Sequence, residues 1–259
     1  MNYAKSTTLA LVLALVLTTP ASAGLAGLEP LRAMAPNLDP EVLRLALNAR
    51  SYAEQKGLLE RPEILTVIDY SLPSTEQRLW IFDLAKPVLL YRELVAHGMG
   101  TGENFAETFS NRSGSKQSSL GLFTTAGTYY GRNGYSLYLH GQEPGVNDLA
   151  FERTIVMHGA WYVSESFVRE HGRLGRSWGC PALSTEVSDE IIDLIKDGTA
   201  LFAYSPDEVW LASSEFLSSP HGIEAVGSHG VTALASQPQP PRSRTASSPA
   251  NTVTGAPSS

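Results

Sequence analysis

The feature that most constrains this chain is a succession of short apolar runs. Residues 64–70, 78–84 and 88–96 are rich in branched and aromatic side chains and are separated by turn residues. Residues 136–139, 154–157 and 200–204 repeat the pattern. Runs this short, with this chemistry, suit strands rather than buried helices. Two longer helices are expected besides these runs. Asp39 caps the first, Pro40 sits at its first position, and Gly57 stops it. Val42, Leu45, Ala46, Ala49, Tyr52 and Ala53 recur along it at helical spacing, which predicts one packed face. The second is predicted over 185–196, with Ser184 as cap, Gly198 as stop, and Val187, Ile191, Ile192, Leu194 and Ile195 on one face. The fold class that follows is mainly β with a few helices, a sandwich or open barrel preceded by an N-terminal helix. With a single cysteine, Cys180, the chain forms no internal disulfide, so its core holds the fold unaided.

Flanking segments differ in composition. Residues 1–23 read as a secretory signal: Lys5, an apolar run from Leu9 to Leu17, and Ala21-Ser22-Ala23 as the cleavage site. The run is too short to span a bilayer, which takes about 20 residues, and Gly24 rather than cysteine follows the site. No transmembrane segment is expected, and the protein is expected to be exported. Removing the leader takes away one lysine and no acid, so the formal charge moves from −7 to −8. That excludes a basic footprint for nucleic acid. Residues 218–259 carry nine serines, six prolines and no aromatic ring. Such a tail buries too little to offset its chain entropy and is expected to be disordered. His221 and His229 lie in it and are not candidate ligands. The domains expected are a leader (1–23), an N-terminal helical segment (24–60), a main domain (61–217) and the tail (218–259). Within the domain, residues 98–134 are dense in Gly, Ser, Thr and Asn and read as a long functional loop.

An exported free thiol is exposed to oxidation, so a chain that retains one is expected to use it. Cys180 lies between Gly179 and Pro181, where proline restricts the preceding backbone to an extended form. That is a rigid mounting for a nucleophile, with the amides near Gly179 and Cys180 placed to hold an oxyanion. A thiol is activated by a neighbouring imidazole. His97, His140 and His158 each end a strand-like run and precede glycine, and spacing does not choose among them. His171 sits at the end of a short helix. Isolated Cys and scattered His lack ligand spacing, so neither metal nor cofactor is expected.

A resemblance chooses. His158-Gly159-Ala160, followed by Arg176-Ser177-Trp178-Gly179-Cys180-Pro181, resembles the catalytic segment of the murein L,D-transpeptidase catalytic domain family, with its YkuD-like β-sandwich. The segments 104–106, 118–121, 128–131 and 145–148 extend the similarity over about residues 60–205. The resemblance implies Cys180 as nucleophile, His158 as base, and Ser177, Gly179 and Gly159 in support. Trp178 stands where most members have histidine, and Pro181-Ala182 replace an apolar residue and a polar one. Substrate contacts then fall to Arg176, Arg173 and Trp178. The activity implied is acyl transfer on peptidoglycan stem peptides through a cysteine thioester, in the periplasm or cell envelope. A carboxypeptidase using water, or a wall-binding module without catalysis, are the alternatives.

Overall fold

The computed structural model describes residues 28–218. The leader at 1–23, the tail beyond 218, and His221 and His229 lie outside the described residues. A helix over 28–34 (α1) leads into α2 (Pro40–Gln55). There the Asp39 carboxylate accepts from Glu41 N–H and proline opens the first turn. Gly57, at φ 67°, ends it. Val42, Leu45, Ala46, Ala49 and Ala53 are all buried, the predicted face, and α2 lays it on β1 and β8.

The sheet has eight strands: β1 (Ile64–Asp69), β2 (Leu79–Asp83), β3 (Val88–Glu93), β4 (Gly121–Gly131), β5 (Gly134–Gly141), β6 (Val156–Gly159), β7 (Ala182–Leu183) and β8 (Ala200–Tyr204). They lie in the order β3-β2-β1-β8-β4-β5-β6-β7. Every residue of β1 is buried, because one face looks into the core and α2 covers the other. The last strand enters the centre of the sheet, parallel to β1 and antiparallel to β4. The remaining helices are α3 (Glu165–His171), α4 (Ser188–Ile195), α5 (Glu208–Ser213) and α6 (Glu215–Ser218).

The two ends of the sheet nearly meet. Past β3, the Ala96 amide donates to Ala182 O at 2.9 Å and the Ala182 amide returns a 3.4 Å bond to Ala96 O. Ser177 N then donates to His97 O at 3.0 Å, and Met99 N to Ser177 O at 2.8 Å. The result is a mainly β, nearly closed barrel-like sandwich. Arg78, fully buried, fastens the seam: its guanidinium donates to Leu72 O and Val95 O and to Nδ1 of His97. Burial lowers the Arg78 pKa to about 10.

Two expectations need correction. Residues 98–134 are not one loop, because β4 occupies 121–131 and pairs with both β5 and β8. Its three glycines hide it, yet Leu122 and Phe123 are core residues. The second helix begins at Ser188 rather than Thr185, since Ser184 first holds a turn through its side-chain bond from Glu186 N.

Buried Glu143 joins the C-terminal helices to the sheet. Its carboxylate accepts from Leu122 N at 2.8 Å, Trp210 Nε1 at 2.9 Å and Ser214 Oγ at 2.6 Å. Glu143→Ala strands three buried donors and is expected to cost about 3 kcal/mol or more. In a domain of this size that lowers the thermal midpoint by roughly 6–12 °C. A melt followed by circular dichroism checks it; an unchanged midpoint means the carboxylate does not hold these helices.

Candidate active site

Strand register brings the cysteine segment beside His158. β6 and β7 run parallel with His158 opposite Ala182. Cys180, two residues before Ala182, therefore lies beside Val156, two residues before His158. Val156 N–H reaches the Cys180 sulfur at 3.5 Å, and the thiol faces Thr154 O at 3.7 Å. Cys180 and His158 both line one cavity of about 660 Å³. Both side chains are largely buried.

The loop carrying Cys180 is held on each side. Ser177 Oγ donates to Cys180 O at 2.6 Å and accepts from Gly179 N at 3.0 Å. Ser118 Oγ accepts from Gly98 N and donates to Gly179 O, both at 3.0 Å. Gly179 has φ 126°, and a Cβ there would sit 2.8 Å from Gln117 O and 2.9 Å from Ile155 Cδ1. Glycine is required by both conformation and space. The Gly179 N–H, one of the amides expected near an oxyanion, is bonded to Ser177 Oγ. The Cys180 amide makes no hydrogen bond to another described residue.

His158 Nδ1 lies 2.9 Å from Gly159 O. A carbonyl only accepts, so Nδ1 carries the proton and Nε2 presents a lone pair. Burial lowers the His158 pKa, with the bond to Gly159 O opposing. Burial raises the Cys180 pKa, while the Val156 amide and then Arg153 pull it down. The resting pair is therefore a neutral thiol and a neutral imidazole. A Cβ on Gly159 would meet Ser188 Oγ at 2.5 Å, so glycine admits the start of α4.

The other strand-end histidines are placed differently. His97 is fully buried, takes a bond from Arg78 at Nδ1 and meets Gly102 O through Nε2. Burial and then the Arg78 charge lower its pKa to about 4, so it stays neutral and belongs to the seam. His140 is exposed and stacks on Phe151 at 4.6 Å, outside the cavity lining.

A family model described as the L,D-transpeptidase catalytic domain matches residues 34–204, well over half of the chain. The chain belongs to that family. The match starts within α1 and includes α2. Solved structures similar to this chain include an L,D-transpeptidase from Mycobacterium smegmatis, 13% identical, with a TM-score of 0.35, covering 55% of this chain and 59% of that one. An L,D-transpeptidase from Stackebrandtia nassauensis is 13% identical, with a TM-score of 0.34, over 69% and 76% of the two chains. L,D-transpeptidase 3 from Mycobacterium tuberculosis is 14% identical, with a TM-score of 0.33, over 55% and 61%. The chain thus spans about 59% of the length of the first of these, and at such low similarity the family match carries the assignment. No curated protein sequence matches the chain closely enough to count as a relative.

In this L,D-transpeptidase domain the two arginines expected to meet substrate are engaged by one acid. Glu103 takes Arg173 Nε at 2.8 Å and Arg176 Nη1 at 2.7 Å. Arg176 lines the cavity, and Arg173 does not. Trp178 is 68% exposed at the cavity and carries Lys116 Nζ 5.0 Å from its ring. Sequence reasoning missed Arg153, which also lines the cavity. Its guanidinium binds Ser110 O, Ser119 Oγ, Ser115 Oγ and Gln117 O. It missed Tyr162 too, whose hydroxyl burial pushes to about 12. Thr154 and Lys116, both in the lining, have φ of 56°. Left-handed backbone is costly for such residues, by about 1–3 kcal/mol each, and clusters at functional sites.

Proposed function

We propose that this domain is an exported cysteine acyltransferase that forms L,D cross-links between peptidoglycan stem peptides. The observation carrying this is that, in a domain of the L,D-transpeptidase family, one cavity is lined by both the Cys180 thiol and an imidazole whose Nδ1 is held by Gly159 O. His158 Nε2 takes the thiol proton as Cys180 Sγ attacks the carbonyl that follows meso-diaminopimelate in the donor stem. The developing oxyanion is met by the Cys180 amide. As the C–N bond breaks, the imidazolium returns its proton to the leaving D-alanine amine, and a thioester remains. An acceptor amine on a second stem, deprotonated by His158, then attacks the thioester carbonyl and releases the thiolate. Gly159 O holds the imidazole in the required tautomer throughout, with Ser177 and Gly179 fixing the cysteine loop.

The substrate implies a location in the cell envelope, with 1–23 as the export leader and 218–259 as a tail outside the chemistry. Among the described residues no helix is long and apolar enough to cross a membrane. Incubating the full chain with tetrapeptide muropeptides and reading products by mass spectrometry tests the proposal. Dimers lacking one D-alanine are the expected product. Tripeptides alone would make water the acceptor, hence a carboxypeptidase. Unchanged substrate would leave a wall-binding module.

A further inference from the structure

The cavity at Cys180 has a charge opposite to that of the chain. Lys116, Arg132, Arg153 and Arg176 all line it, and no Asp or Glu does, although the protein carries a formal charge of −7. The four cations are not equivalent. Arg176 is already engaged by Glu103, a carboxylate that it shares with Arg173. Arg153 pairs with no carboxylate among the described residues, but its donors are spent on two carbonyls and two hydroxyls of the 110–119 segment. Its charge therefore acts on the cavity as a fixed field, already felt at the Cys180 sulfur. Lys116 and Arg132 are exposed, and neither has a carboxylate partner among the described residues.

Both free cations are mounted on constrained backbone. Lys116 has φ 56°, and its carbonyl accepts from Gly100 N at 2.9 Å. A Cβ on Gly98 would lie 2.4 Å from that carbonyl, so the chain passes close beneath it. The side chain extends over the face of Trp178. Arg132 sits in the two-residue turn between β4 and β5, closed by Gly134 at φ 78°. A cavity lined by one sign of charge concentrates counter-ions, and a guanidinium grips a carboxylate through two parallel bonds.

We propose that Lys116 and Arg132 form an anion subsite that selects reactants bearing a free carboxylate within a side chain's reach of the carbon attacked by Cys180. Applied to the proposed reaction, and resting on that reading only here, the enzyme prefers a donor whose diaminopimelate side-chain carboxyl is free over one in which it is amidated. Arg173 and Arg176, held by Glu103, do not make this selection.

The test uses two alkylating agents of nearly equal size, iodoacetate and iodoacetamide, on the full chain. The rate ratio for Cys180 is measured against the same ratio for N-acetylcysteine. The expected normalised ratio exceeds that of the free thiol and falls by about threefold in Lys116→Gln and in Arg132→Gln. Each change corresponds to one partly screened charge at a few tenths to 1 kcal/mol. In the double variant, and at 1 M salt, the ratio approaches that of N-acetylcysteine. A wild-type ratio equal to the free thiol, or one unmoved by both substitutions, overturns the subsite. This readout needs no peptidoglycan, so it fails or succeeds separately from the transpeptidase reading. A matched pair of carboxylate and amide tetrapeptides then reads the preference in kcat/KM.

Discussion

Cys180→Ala is expected to reduce turnover on tetrapeptide stems by on the order of 10⁴-fold or more, because the acyl group then has no sulfur to bind. The fold should be almost unaffected. Cys180 is the sole thiol and forms no disulfide, and its sulfur meets the Val156 amide and the Thr154 carbonyl only at 3.5 and 3.7 Å. A thermal midpoint within a few degrees of wild type would accompany the loss. The same nucleophile is expected to open a carbapenem ring: the S–C bond forms, the ring amide bond breaks, and the whole drug mass stays on the protein. Intact-protein mass spectrometry should show one such increment in the wild type and none in Cys180→Ala. Turnover that persists in the variant would remove Cys180 from the chemistry.

Loss of His158 is the second large effect. A thiol raised by burial above its ordinary value of 9.0 is scarcely ionised at neutral pH, so its reactivity depends on a base. Because the His158 pKa is lowered from 6.5, the imidazole is still neutral at pH 6.5, and the acid limb of the rate profile falls below that value. His158→Gln should cut thiol alkylation near pH 7 by about 10²–10⁴-fold and erase that acid limb. What reactivity remains should rise only above pH 9, where the thiol ionises without help. His140→Ala, on an exposed ring stacked against Phe151, serves as the comparison. Should His140→Ala slow alkylation while His158→Gln does not, the base has been assigned to the wrong histidine.

Strand chemistry was legible where side chains carry it. The β8 run was read to its exact residues and β1 to within one, since branched and aromatic residues crowd both. β4 was not, because Gly121, Gly127 and Gly131 and three threonines look like loop composition until Glu143 and the neighbouring strands supply the partners. The cysteine segment was visible from residue order alone. The mutual position of Cys180 and His158 was not, because it comes from the parallel β6–β7 register, a pairing across 22 residues with no local signal. The pairing of charges was not legible for a related reason. Arginine near the motif pointed to Arg173 and Arg176, but sequence does not show that Glu103, some 70 residues earlier, reaches both. Nor does it show that the β4–β5 turn carries Arg132 to the cavity.

The central pairing of the sheet has a consequence for the order in which the molecule comes into being. β1 and β8 are neighbours in the barrel, yet Leu65 and Ala200 are partners separated by nearly the whole domain. A ribosome delivers β1 early and β8 last, and long-range parallel pairing is slow to close. Throughout that interval the sheet lacks its middle strand, and Cys180 itself is made only shortly before that strand arrives. The sole thiol of the chain is thus made before Ala200–Tyr204 can dock between β1 and β4 and complete the sheet to which β6 belongs.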